Sequence, residues 1–289
     1  MRRACIDIGS NTSRLLVADL AEGGLVAIHQ ERAFTHLASG CQADGSIAPE
    51  KLTEVAALVA RQLEAAQRLG CVEVRAVATG AIRRALNGEA LAAAVRHTCG
   101  LEVQILTGEE EAGLAFRGAA RGFRHVTGEL GVVDAGGGST ELAVGEAPDR
   151  VRWFASLPFG SADLARSYLH SDPPSEAELA EARLEVASTI GELDVPHLTQ
   201  AAAVGGSAAS LARVAGRVLG SAAFARALRE VIDAPGHEVA ARFGLELERV
   251  RLLPGGLLIL EAVSERFGTP LVVAGGGLRE GALLEVARA

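Results

Sequence analysis

The sequence predicts an α/β protein of two domains. Three observations carry that reading. The chain has 289 residues, more than one average core needs and enough for two. Strand-like and helix-like segments alternate along its whole length. A glycine-rich hairpin occurs twice, at an offset of 127 residues.

The first hairpin reads Cys5-Ile6-Asp7-Ile8-Gly9-Ser10-Asn11-Thr12-Ser13-Arg14-Leu15-Leu16-Val17. The second reads Val132-Val133-Asp134-Ala135-Gly136-Gly137-Gly138-Ser139-Thr140-Glu141-Leu142-Ala143-Val144. The same offset relates Asp7 to Asp134, Gly9 to Gly136, Thr12 to Ser139 and Leu15 to Leu142. Each copy is a strand, a tight Gly/Ser/Thr turn and a second strand. Glycines let a backbone come close to a ligand, and successive N–H groups in such a turn make an anion-binding concavity. An aspartate at the strand end can hold a cation that a bound phosphate shares. Ordinary hairpin turns would explain one copy; two copies with matching flanks favour a phosphate and metal site in a cleft between the domains.

After the first hairpin, residues 47–70 read as a helix: Leu52, Val55, Val59, Leu63 and Ala66 form a stripe and Gly70 stops it. Val74 to Ala78 is a strand, followed by a short helix carrying Arg83 and Arg84. Val103 to Leu106 is the next strand. Thr107 and Glu110 form a capping box for a helix to about Gly122. The segment from Arg121 to Gly131 is the expected junction, giving domains 1–124 and 125–289, with the last helix left able to pack back on the first. Past the second hairpin, Val151 to Leu157 is a strand, and Ser175 with Glu178 caps a long helix towards Leu193. Two strand–glycine–helix units follow, Ala201 to Ser207 and Leu271 to Gly277. A helix N-terminus after glycines suits phosphate, because unbonded N–H groups and the dipole both face the anion.

Composition narrows the function. Hydrophobic residues are 49% and charged residues 22%, as in ordinary soluble domains. The formal net charge of −8 argues against a general nucleic-acid binder, so no DNA partner is expected. Lys51 is the only lysine, which makes any cationic phosphate contact an arginine contact. Cys5, Cys41, Cys71 and Cys99 are scattered and read as small buried thiols. The seven histidines make no close metal-ligand cluster. Asp7 interrupts any signal-peptide core, and the apolar run Leu252 to Leu260 is too short for a bilayer, so a cytoplasmic location is expected. No G-x-x-x-x-G-K-[ST], G-x-G-x-x-G or G-x-S-x-G pattern is present, which disfavours Walker-type, dinucleotide-binding and esterase readings.

Taken together, Asp7 to Asn11, Ala78 to Arg84, Gly108-Glu109-Glu110-Glu111-Ala112, Asp134 to Glu141, Gly206-Ser207 and Gly276 to Gly281 resemble the exopolyphosphatase/guanosine pentaphosphate phosphatase (Ppx/GppA) family, in its short two-domain form. The resemblance covers essentially the whole chain. It implies two ribonuclease-H-like domains of the actin/Hsp70/sugar-kinase superfamily with an interdomain cleft, often as a homodimer. It implies Mg²⁺-dependent release of the terminal phosphate of polyphosphate, or alternatively of the 5′ phosphate of pppGpp. It assigns the general base to Glu111, with Glu110 as fallback. It assigns the metal to Asp134 and Glu141, with Asp7 helping through water. Ser10, Asn11, Arg83, Gly136, Gly137, Gly138, Ser139, Gly206 and Ser207 are the implied phosphate contacts. Without the resemblance, Glu109 to Glu111 would read as carboxylates favouring a helix dipole and Glu141 as a solvent-facing strand residue. A kinase of the same superfamily and a non-catalytic nucleotide or alarmone sensor are the competing classes. A base at Glu111 has no use in a sensor.

Overall fold

A computed structural model describes residues 1–21, 24–40, 42, 44–123 and 128–286. Cys41 and residues 124–127 of the expected junction lie outside the described residues. The chain divides into two compact units, Met1–Leu114 with Leu278–Ala289, and Ala115–Gly277.

The first unit opens with β1 (Arg2–Ile8), β2 (Thr12–Ala21) and β3 (Gly24–Phe34), an antiparallel meander. Helix α1 (Pro49–Arg68) then crosses over to β4 (Glu73–Ala78), which runs parallel to β1. Helices α2 (Gly80–Arg84) and α3 (Gly88–Cys99) lead to β5 (Val103–Ile105), parallel to β4. Helix α4 (Gly108–Ala120) follows, and the division between units falls within it. The sheet order is β3-β2-β1-β4-β5.

Period-two alternation gives this sheet two buried faces. Ala4, Ile6, Ile8, Leu15 and Val17 pack with Val55, Val59, Leu91 and Val95 of α1 and α3. Cys5, Leu16, Ala18 and Val77 pack with Leu278, Ala282 and Leu283 of α11 (Leu278–Val286), the last helix. One polar pair is buried among them: Ser13 Oγ donates to Gln62 Oε1 at 2.7 Å and ties β2 to α1. Both groups are thereby satisfied, which a buried polar pair requires.

The second unit repeats the plan. β6 (Leu130–Ala135), β7 (Thr140–Glu146) and β8 (Arg150–Leu157) form the meander. Helices α5 (Ser161–Tyr168) and α6 (Glu176–Gly191) cross over to β9 (Gln200–Val204), parallel to β6. Then come α7 (Gly205–Ala215), β10 (Val218–Leu219), α8 (Ser221–Ile232), α9 (Gly236–Phe243) and α10 (Leu247–Phe267), before β11 (Leu271–Val273) joins parallel to β9. The order β10-β11-β9-β6-β7-β8 contains the first unit's order, with one added edge strand. Each sheet is a mixed one in which an antiparallel meander is extended by parallel strands, the ribonuclease-H-like arrangement. The capping boxes at Thr107/Glu110 and Ser175/Glu178 form as the sequence predicts. No described helix is long and apolar enough to cross a membrane.

Candidate active site

The two hairpins match residue for residue. Gly9 N–H donates to Thr12 O at 2.9 Å, and Gly136 N–H to Ser139 O at 3.0 Å. The pairing of the second strand with the third slips register at Val17/Ala18 in β2–β3 and at Val144/Gly145 in β7–β8, the same position after the 127-residue offset.

In the second hairpin the turn carbonyls are taken from behind. The N–H groups of Ser161, Ala162 and Asp163, at the start of α5, donate to Gly136 O and Gly137 O at 2.9–3.2 Å. Ser161 Oγ adds a bond to Gly136 O at 3.1 Å. In a trans peptide the N–H lies opposite the C=O. With the carbonyls of Gly136 and Gly137 turned to α5, the N–H groups of Gly137 and Gly138 point the other way, side by side. Neighbouring N–H groups aimed to one side are the geometry an anion-binding turn needs. Gly160 makes the approach of α5 feasible, because a Cβ there would strike the backbone of Gly136 and Gly137. In the first hairpin Thr35 does the equivalent work: its Oγ1 donates to Gly9 O at 3.2 Å and its N–H to Asn11 O at 2.9 Å. The N–H of Ser10 is thereby turned away from Thr35.

The carboxylates occupy defined places. Asp134 and Glu141 are directly opposed across β6 and β7, so both side chains lie on one face of the sheet. Glu141 is 2% exposed, not solvent-facing, and accepts from Ser139 Oγ at 3.2 Å and Ser156 Oγ at 3.1 Å. Asp134 abuts Gly205, whose φ of +85° and lack of a Cβ are both required: a Cβ there would collide with Asp134 Oδ1. Gly205 opens α7, so Gly206 and Ser207 lie in the first turn, where N–H groups have no partner within the helix. The Ser207 hydroxyl has a structural task, donating to Ala135 O at 3.0 Å.

In the first unit, Asp7 stands opposite Arg14. Burial pushes its carboxyl up from the usual range, while the positive charges of Arg14 and Arg279 pull it down and Glu280 raises it. The acidic run is sorted by the helix. Glu110 closes the capping box on Thr107 and accepts from Gln104 Nε2 at 3.1 Å. Glu111 turns inward and is buried. Arg83 Nη1 donates to Glu111 Oε2 at 2.6 Å and to Leu106 O at 2.9 Å. The ion pair fixes the orientation of Glu111.

The structure thus brings together Arg83 with Glu111 in the first unit, and Asp134, Glu141 and the Gly136–Ser139 turn with the start of α7 in the second. Sequence reasoning missed Ser156, Gly160 and Ser161, which support that turn and Glu141, and Arg279 near Asp7. Only Arg279 lay in a quoted motif; the others come from strand pairing and helix docking.

Asp134 and Glu141 are hard oxygen donors on one face, and no group of three or more His, Cys, Asp or Glu collects among the described residues. That set suits Mg²⁺, which is ordinarily held by one or two carboxylates and completed by water and substrate phosphate. It does not suit an all-protein zinc or calcium cage.

The model of the Ppx/GppA phosphatase family matches residues 16–289. The chain belongs to that family. Exopolyphosphatase 1 of Mycobacterium tuberculosis is 31% identical over 306 residues, covering 98% of this chain and 88% of the relative. A guanosine-5′-triphosphate,3′-diphosphate pyrophosphatase of Photobacterium profundum is 28% identical, covering 98% of this chain but 59% of the relative. The solved structure of the Aquifex aeolicus member of the family superposes with a TM-score of 0.85 at 30% identity, covering 100% of this chain and 98% of that one.

Proposed function

We propose that this family member is an exopolyphosphatase, hydrolysing the terminal phosphoanhydride of inorganic polyphosphate and releasing orthophosphate with the help of Mg²⁺. The observation that carries the reading is the pair of outward N–H groups at Gly137 and Gly138, set beside an acidic pair of which Glu141 is buried. A terminal phosphate needs donors for its oxygens and positive charge to offset its own; the turn supplies the first, and the acidic pair recruits the second.

Asp134 and Glu141 would hold Mg²⁺, whose charge offsets that gathering on the phosphoryl oxygens. The N–H groups of the Gly136–Ser139 turn and of Gly206 and Ser207 grip those oxygens. Ser10, Asn11 and Arg83 are assigned to the phosphate chain. Glu111 orients the attacking water and takes its proton. Held in place by Arg83, Glu111 acts mainly by placing the water, as suits a loose transition state that asks little of a base. Asp7, balanced by Arg14 and Arg279, has a minor part in holding the cation. The cytoplasmic, homodimeric state expected from the sequence and the resemblance belongs to the same proposal, as does the domain division near residue 124.

The full-length match to the pyrophosphatase relative keeps hydrolysis of the pppGpp 5′ phosphate as the second reading. The purified protein should release orthophosphate from short and long polyphosphate in the presence of Mg²⁺ and not without it, with a higher kcat/KM than for pppGpp. A higher value for pppGpp would promote the second reading. Phosphate appearing only with a sugar and ATP, or never, would refute both.

A further inference from the structure

Within the second unit, away from the glycine turn, lies a pocket of about 330 Å³ between the end of α5, the loop 169–174 and helices α8, α9 and α10. Its wall is apolar, formed by Leu169, Val231, Val250 and Pro254, and its polar lining includes His170, Asp172 and Arg251. The volume lies in the range that takes small ligands, and an apolar wall with few polar groups is their usual setting.

The loop that forms one side is pinned. Glu178 accepts the N–H groups of His170 at 2.8 Å, Ser171 at 2.9 Å and Ser175 at 2.7 Å, and the hydroxyl of Ser171. The Ser171 hydroxyl and the Ser175 N–H, with these other donors, hold its carboxyl well below the usual range. Asp172 is also engaged, accepting Gly236 N–H at 2.7 Å. The pocket is therefore preformed. Arg251, exposed at its edge, can grip one carboxylate through two parallel N–H bonds.

We propose that this pocket is an effector site for a small organic acid, an apolar body bearing one carboxylate. The same two helices serve pocket and turn. The first residues of α5 hold the carbonyls of Gly136 and Gly137, and Ala165 and Leu169 of that helix line the pocket. On α10, Pro254 lines the pocket, Gly255 packs on Ser161 and Gly256 on Ser207. An occupant that shifts α5 against α10 displaces the supports of the turn, and a differential displacement is what couples two sites. The proposal rests on these contacts and not on the activity.

Phenylacetate serves as the probe, followed by amide chemical shifts in the intact protein. Titration should shift the amides of Leu169 to Asp172 and Gly236, and through α5 those of Gly137 and Gly138. Arg251→Gln should weaken binding about fivefold or more, the loss of one charged contact, and Ala165→Trp should abolish it. Both variants are checked for fold by the remaining amide spectrum. No shift at Leu169 to Asp172, shifts confined to the glycine turn, or unchanged affinity in Arg251→Gln would overturn the site. Shifts that stop at the pocket would overturn the coupling. Neither outcome depends on whether polyphosphate is turned over.

Discussion

Hairpins β1–β2 and β6–β7 close on the same hydrogen bond, carry an aspartate one residue before the end of the first strand, and lead into third strands whose pairing slips register at the same place. Opposite Asp7 stands Arg14; opposite Asp134 stands Glu141. Opposite charges across a strand pair stabilise it by about 0.2–1 kcal/mol, and like charges weaken it. The first hairpin therefore pairs opposite charges across its strands, while the second sets two carboxylates opposite each other. The duplicated backbone sets where the groups stand. The side chain at position 14 or 141 sets that difference, and on the proposed function the second copy is the one that holds the cation.

The comparison can be broken in stages. The largest effect is expected at Glu111, which neither hairpin supplies: Glu111→Gln should lower kcat about 10²–10⁴-fold with little change in KM, as removal of a group acting on the water does. Steady-state phosphate release reads both constants. Glu141→Gln, which halves the charge difference, should cost roughly 10²-fold in activity and abolish any rise of Tm on adding Mg²⁺. An undiminished Mg²⁺ response would place the cation elsewhere.

Gly205→Ala tests the backbone beside Asp134. The left-handed φ alone costs about 1–2 kcal/mol for a residue with a Cβ, and the collision with Asp134 Oδ1 adds to it. Urea denaturation should show that loss, and activity should fall with it. The smallest effect belongs to the first hairpin. Burial raises the Asp7 carboxyl's pKa, so ionised Asp7 works against the fold above the usual carboxylate range, despite Arg14. Asp7→Asn should raise Tm at pH 7 by a few degrees at most, roughly the shift expected for a ΔΔG under 1 kcal/mol. The difference from the parent protein should vanish as pH falls below about 4, where the unfolded chain's Asp7 is also protonated.

Much of this was legible in the sequence because it is local. Both hairpins, both capping boxes and the strand–glycine–helix units are spelled by residues close together in the chain. The pairing of Arg83 with Glu111 was not, since it depends on α2 and α4 meeting beside β5. Nor was the task of Ser156, which follows from the β7–β8 register. Helix α10 was the least legible element: Pro254-Gly255-Gly256 looks like a break, yet the helix runs on from Leu247 to Phe267. Its glycines are there for proximity, letting the helix lie against Ser161 and Ser207 with no side chain between. Without the family resemblance, Glu141 reads as a strand residue facing water. It is buried because both faces of the second sheet are covered, which no window of residues around it reveals.

The central claim is that the cation belongs to the second hairpin. The Mg²⁺ concentration giving half-maximal phosphate release from polyphosphate tests it most directly, measured for the parent protein, Asp134→Asn and Asp7→Asn. The account predicts a rise of about tenfold or more in Asp134→Asn and no significant change in Asp7→Asn. An equal rise in both, or a rise only in Asp7→Asn, would contradict it.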